Sequence, residues 1–83
     1  MPQITVRFFA AARAASGVES DLVDVASTTT LAELEDLLAA RAPRLAAVLP
    51  RCSYLRDEIA LCDRAAVVVP CATLDVLPPF AGG

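Results

Sequence analysis

One stretch of this 83-residue chain is written for a long amphipathic helix, and the rest has to fold around it. Thr30-Leu31-Ala32-Glu33 is a capping box. The Thr30 hydroxyl is placed to accept from the Glu33 N–H, and the Glu33 carboxylate to accept from the Thr30 N–H. Behind it Leu31, Leu34, Leu37 and Leu38 recur at helical spacing, so the leucine stripe is expected to be core. Acidic residues in the first turns and Arg41 near the end suit the helix dipole. Pro43 ends or restarts the helix, and Arg44 to Leu49 can add one more helical piece before Pro50.

The segments on either side read as strands. In residues 3–9, Ile4, Val6 and Phe8 fall on one face and Thr5, Arg7 and Phe9 on the other. The alanine-rich stretch 10–16 predicts one or two helical turns closed by Gly17, the only internal glycine, at a left-handed C′ position. Residues 19–26 predict a second strand, Val23 and Val25 inward, pairing with the first as an antiparallel hairpin. After Pro50, Ser53 to Arg56 predicts a strand, Asp57-Glu58 a turn and Ile59 to Leu61 a short return strand. Val67-Val68-Val69 is a buried apolar run of undecided type, and Leu74 to Leu77 is the final strand. A sheet with one main helix across it is an α+β roll. The expectation is a β-grasp (ubiquitin-like) roll, a mixed sheet of four to five strands, with first and last strands side by side. The domain is expected over residues 1–77, with a flexible tail at 78–83.

Composition removes most functions. Histidine is absent, which takes away the usual general base and the commonest metal ligand. Cys52, Cys62 and Cys71 match neither a redox pair nor a metal-ligand spacing, and are expected as small hydrophobes. A net charge of −3 and a pI near 4.6 argue against nucleic-acid binding. With no signal peptide and no apolar run long enough to span a membrane, reduced thiols, a cytoplasmic location and no membrane partner are expected. Lysine is absent and all seven cations are arginine, so no side chain can accept an isopeptide bond.

What remains is the end of the chain, Leu77-Pro78-Pro79-Phe80-Ala81-Gly82-Gly83, which holds two of the three glycines. The prolines offer no N–H, so a strand running into them must stop pairing. Gly-Gly without Cβ atoms can thread a channel closed to any side chain. Together with Val6 to Arg13 (VRFFAAAR) and the capped helix, this terminus resembles the small subunit of molybdopterin synthase, the MoaD branch of the ubiquitin-like sulfur carriers. The resemblance spans essentially the whole chain. It departs at Pro70-Cys71-Ala72-Thr73, which stands where the family usually carries an Asp-Gly-Asp turn.

The resemblance implies a chain that is not catalytic alone. An E1-like (MoeB-type) adenylating enzyme would activate the Gly83 carboxylate with ATP, and a sulfurtransferase or cysteine desulfurase would supply sulfur to form a thiocarboxylate. The large synthase subunit (MoaE-type) would then use that sulfur for the dithiolene of molybdopterin. No cofactor or metal is expected on this chain. Gly83 is the reacting residue and Gly82 its slim approach. Phe80 is expected to anchor in a partner pocket, with Ala81 and Pro79 beside it. Phe9, Ile59 and Leu77 are expected to form an apolar docking patch facing away from the helix, with Arg13 at its rim. A thiamine-type carrier, a ubiquitin-like protein modifier and a plain binding module are the alternatives.

Overall fold

The computed structural model of the chain describes residues 2–79; the expectations for Phe80, Ala81, Gly82 and Gly83 lie outside the described residues. Five strands form one sheet. They are β1 (Gln3–Phe8), β2 (Ser20–Asp24), β3 (Ser53–Arg56), β4 (Ile59–Ala60) and β5 (Thr73–Leu77), in the spatial order β2-β1-β5-β3-β4. β1 and β5 are parallel, and the other neighbours are antiparallel. The helices are α1 (Ala10–Ser16), α2 (Leu31–Arg41) and α3 (Leu45–Val48), the last running into a 3₁₀ turn at Leu49–Arg51. This is the mixed β-grasp roll, with the last strand in mid-sheet.

The core follows from the alternation. Ile4, Val6, Phe8, Val23, Leu74 and Val76 point to one face of the sheet, and Leu31, Leu34 and Leu38 of α2 cover them; all are buried. Each such leucine contributes roughly 1.5–3 kcal/mol through burial. Leu37 does not belong with them. It is 43% exposed, because at 100° per residue it falls at the edge of the stripe, where the sheet no longer reaches.

The start of α2 is closed on every side. Glu33 N–H donates to the Thr30 hydroxyl at 3.2 Å, and Thr30 N–H to Glu33 Oε1 at 2.9 Å, completing the capping box. Two further N–H groups have no partner within a helix. Leu31 N–H donates to the Ala66 carbonyl at 2.9 Å and Ala32 N–H to the Arg64 carbonyl at 3.0 Å. The loop after β4 thus caps the helix non-locally. It also explains the valine run, which is not a strand. Val67 makes an isolated bridge to Thr30 and is 40% exposed, while Val68 is fully buried and donates its N–H to the Thr29 carbonyl at 2.9 Å.

A second link ties the same loop to the sheet. The buried Tyr54 hydroxyl donates to Glu35 Oε2 at 2.6 Å, and Arg64 Nε donates to Glu35 Oε1 at 3.0 Å. Desolvation, then the neighbouring carboxylate, push the Tyr54 phenol above its ordinary range, so it stays a donor.

The turn and loop chemistry agrees with the residues present. Gly17 takes φ 80° and its N–H donates to the Arg13 carbonyl at 2.9 Å, closing α1. Asp57 and Glu58 both have positive φ (47° and 72°), the twist a two-residue hairpin needs. The departure at 70–73 is accommodated by this turn. Val69–Pro70 is cis, and the Asp57 carboxylate accepts from the Ala72 and Thr73 N–H groups at 2.9 Å each. Those backbone donors hold the Asp57 carboxyl below its usual value.

Candidate functional site

The register decides where the chain's end is delivered. β5 runs parallel to β1 with Phe8 beside Val76, so both leave the sheet at the same end. Leu77 pairs with Ser53 as the last residue of β5, and Pro78 and Pro79 lie outside the strand, as their missing N–H groups require. At that end β1 turns abruptly into α1. Phe9 still has extended backbone, with its N–H donating to the Val76 carbonyl at 3.2 Å, and Ala10 then takes φ 48°. A left-handed alanine is sparsely populated, and such residues cost of order 1–3 kcal/mol. The turn stores that cost beside the exit of the tail.

Between these two chain ends lies a groove of about 450 Å³, lined by Phe9, Ala10, Ala11, Ser53, Leu77, Pro78 and Pro79. Its walls are mainly apolar, and Phe9 remains 40% exposed. On the other side of Phe9 is a polar hollow of about 390 Å³ that includes Arg7, Arg13, Glu19 and Ser20. Arg13 lies 3.5 Å from Glu19, with both side chains largely in solvent. A pair of that kind contributes little to stability, roughly 0–1 kcal/mol.

The structure therefore joins Phe9, Leu77 and Pro79 and places Arg13 at the rim. Ile59 is not with them. It pairs with Arg56, which pairs with Leu74, a core residue, so by alternation Ile59 lies on the opposite face of the sheet from Leu77. It is 73% exposed on β4, the edge strand. A patch containing all three residues does not form. Sequence reading missed Ala10, Ala11 and Ser53. The first two directly follow Phe9 and could have been added; Ser53 depends on strand register, which no local pattern carries.

Just behind the groove, Arg7 and Asp75 are register partners on the open face of the sheet. The guanidinium donates through Nε and, at 2.8 Å, through Nη2 to the two carboxylate oxygens, and Asp75 is 6% exposed. The hydrogen bonds, and then the attraction of opposite charges, raise the Arg7 pKa. This fork pins β5 to β1 two residues before Leu77.

The thiols divide by position. Cys52 is buried, its Sγ donating to the Val48 carbonyl at 3.3 Å, and burial pushes its pKa up. Cys71 is half-buried and raised for the same reason. Cys62 is exposed and is not a core residue. Among the described residues no group of three His, Cys, Asp or Glu side chains could hold a metal ion, and no helix is long and apolar enough to cross a membrane.

The ThiS family model matches residues 6–83 of this sequence, from β1 to the terminal Gly-Gly. The chain belongs to the ThiS family, a family of ubiquitin-like sulfur carriers. No curated protein matches this ThiS-family chain in sequence. Its fold is shared with SAMP1 from Haloferax volcanii, at a TM-score of 0.83 and 22% identity over 99% of this chain and 100% of that one. It is shared too with a protein described as molybdopterin converting factor, subunit 1, from Pyrococcus furiosus, at 0.80 and 12% identity over 96% and 100% of the two chains. A third likeness is a complex of subunits 1 and 2 of molybdopterin-converting factor from Helicobacter pylori, at 0.68 and 20% identity, covering 99% of this chain and 100% of that one. At these identities the likenesses establish the ubiquitin-like fold and nothing finer.

Proposed function

We propose that this ThiS-family chain serves molybdopterin synthesis as its sulfur-carrying small subunit. The observation that carries the reading is the delivery of Leu77-Pro78-Pro79, from a central strand, into an apolar groove headed by Phe9; in sequence the chain ends four residues later at Gly82-Gly83. The likenesses to molybdopterin converting factor subunit 1, one of them in complex with its subunit 2, support the choice of pathway and a large-subunit partner of that kind.

In this reading an E1-like partner joins the Gly83 carboxylate to AMP from ATP, releasing pyrophosphate. A sulfurtransferase or cysteine desulfurase presents a persulfide whose outer sulfur attacks the acyl carbon; the C–S bond forms and the C–O bond to AMP breaks, and a thiol reductant then cleaves the acyl disulfide to leave the thiocarboxylate. At the large subunit the thiocarboxylate sulfur bonds to the acceptor, water cleaves the acyl C–S bond, and Gly83 returns as a carboxylate. This chain contributes position alone: a pinned strand, a slim end and a docking groove. Phe80 and Ala81 extend the apolar approach in sequence, with Phe80 the side chain expected to enter a partner's pocket.

A second reading, a ubiquitin-like protein modifier, is favoured by the likeness to the chain called small archaeal modifier protein 1. The two separate on intact mass. Protein purified from its host should carry sulfur in place of one terminal oxygen; a ladder of isopeptide conjugates without that exchange would decide for the modifier.

The groove has its own test. Phe9 is the N-cap of α1 with no side-chain cap bond, and Asp is a preferred N-cap, so Phe9→Asp leaves the fold intact while placing a charge in the apolar groove. Removing a buried aromatic anchor of an interface costs about 2 kcal/mol or more, which is roughly 30-fold in Kd. Calorimetric titration with the large subunit should show that loss at an unchanged thermal midpoint. An unchanged Kd would remove Phe9 from the interface.

A further inference from the structure

We infer that the free edge of β2 is a self-pairing surface for a second copy of this chain, and that Arg41 holds it closed. The inference is independent of the proposed sulfur carriage. The sheet ends in β2 on one side and β4 on the other. β4 offers a partner only two residues, whereas β2 offers five, Ser20–Asp24. A very short edge strand is protected by its length, and a longer one needs a device. Phe8 N–H donates to the Glu19 carbonyl at 2.8 Å, and Val25 N–H to the Pro2 carbonyl at 2.9 Å. The odd-numbered residues of this segment therefore turn their backbone groups toward β1, and by alternation Ser20, Leu22 and Asp24 turn theirs outward.

Two side chains close that edge. Asp21 pairs with the core residue Val6, so its carboxylate lies on the helix-covered face, a charge pointing inward from an edge strand. Arg41, the last residue of α2, reaches it: Nη1 donates to Asp21 Oδ2 at 2.7 Å and to the outward Leu22 carbonyl at 3.3 Å. Among the described residues no other side chain bonds an outward backbone group of β2. The acceptor in the middle of the edge is thus in use, and an added strand has to displace the guanidinium. What the edge fits follows from its own pattern. An antiparallel pairing with its two-fold axis at Leu22 sets Leu22 against Leu22 of the second copy, and Ser20 against Asp24. The outward N–H and C=O groups then satisfy one another. Leu22, beside Thr5 on the open face and 57% exposed, gains a cover, and each Ser20 hydroxyl meets the other copy's Asp24 carboxylate. Asp21 falls opposite Val23, so no like charges stand directly across from each other. Five paired residues are few beside the roughly 800 Å² per partner of a stable interface, so the dimer is expected to be weak, with a Kd of about 0.1–1 mM. One side chain suffices to suppress an association of that strength.

Sedimentation equilibrium of the full chain up to about 1 mM, with amide exchange followed residue by residue, tests both halves. The unsubstituted protein should stay monomeric, with the Leu22 and Asp24 amides exchanging freely. Arg41→Ala should dimerise in this range. Exchange at Ser20, Leu22 and Asp24 should then slow as concentration rises, while Val23, whose N–H faces β1, stays unchanged. Arg44→Ala removes the same charge from the exposed residue that opens α3, and should remain monomeric. Asp21→Asn leaves α2 untouched and takes away the carboxylate that anchors Arg41, so it should dimerise more weakly than Arg41→Ala; it supplies the reading if Arg41→Ala does not fold. Monomers in both variants would overturn the inference, as would a dimer whose new protection lies away from β2. An unsubstituted chain already paired through β2, or Arg44→Ala dimerising as tightly as Arg41→Ala, would overturn the role of Arg41.

Discussion

Deleting Gly83 should reduce sulfur transfer to background while moving the thermal midpoint by no more than about 3 °C. The second half follows from where the core ends. Its last buried member in sequence is Val76, and pairing of the final strand stops at Leu77. Changes away from the core usually stay within about 0.5 kcal/mol, which for a domain of this size is roughly 2–4 °C. The first half follows from the proposed chemistry: there the acyl carbon of Gly83 is the reactant, and a chain one residue shorter would present its end about 3.5 Å short of a partner's catalytic groups. Single-turnover transfer assays and melts on the same preparation read both halves. Retained transfer would show that the terminal glycine is not the reacting group, and a parallel loss of stability would show that the tail is structural.

The opposite outcome is expected from Leu34→Ala. Leu34 is fully buried in the middle of α2. Truncating such a leucine removes its transfer energy and leaves a cavity, at a cost of about 2–5 kcal/mol. At roughly 0.05–0.15 kcal/mol per residue, the whole domain has about 4–12 kcal/mol to lose. The midpoint should fall by about 10–30 °C. Transfer, assayed well below the new midpoint, should survive in proportion to the folded fraction. A midpoint lowered by less than about 5 °C would mean that α2 is not the cover that holds the sheet.

Much of this architecture is local and so was legible. The capping box at Thr30, the left-handed Gly17, the alternation in β1 and β2 and the Asp57-Glu58 turn each involve residues a few positions apart, and each formed as expected. What local pattern could not carry was pairing across the sheet. Ile59 parted from Leu77 because the β3–β4 turn and the β3–β5 register together put it on the core-side face. The type of Val67 to Val69 was undecided from sequence, because the loop holding them closes the N-terminus of a helix more than thirty residues earlier in the chain. Leu37 satisfied the helical period and still faces solvent, because a period gives a stripe's direction and the partner surface sets its width. In the site, Phe9, Leu77 and Pro79 were readable as exposed or exiting residues, whereas Ser53 and the Arg7–Asp75 fork exist only through register.

The position of β5 also orders the events of folding. The central strand is the last one written, and it alone joins the β2-β1 pair to the β3-β4 pair. A nascent chain that has not yet released Thr73 to Leu77 holds two separate hairpins, each marginal alone in water. Closing the sheet requires a contact spanning nearly the whole chain, the kind of step that makes folding slow and cooperative. Completion of the domain and presentation of its exit segment are therefore one event. An immature or broken copy has no Phe9–Leu77 groove to offer, so a partner that reads this groove inspects the integrity of the whole sheet before it touches the terminal carboxylate.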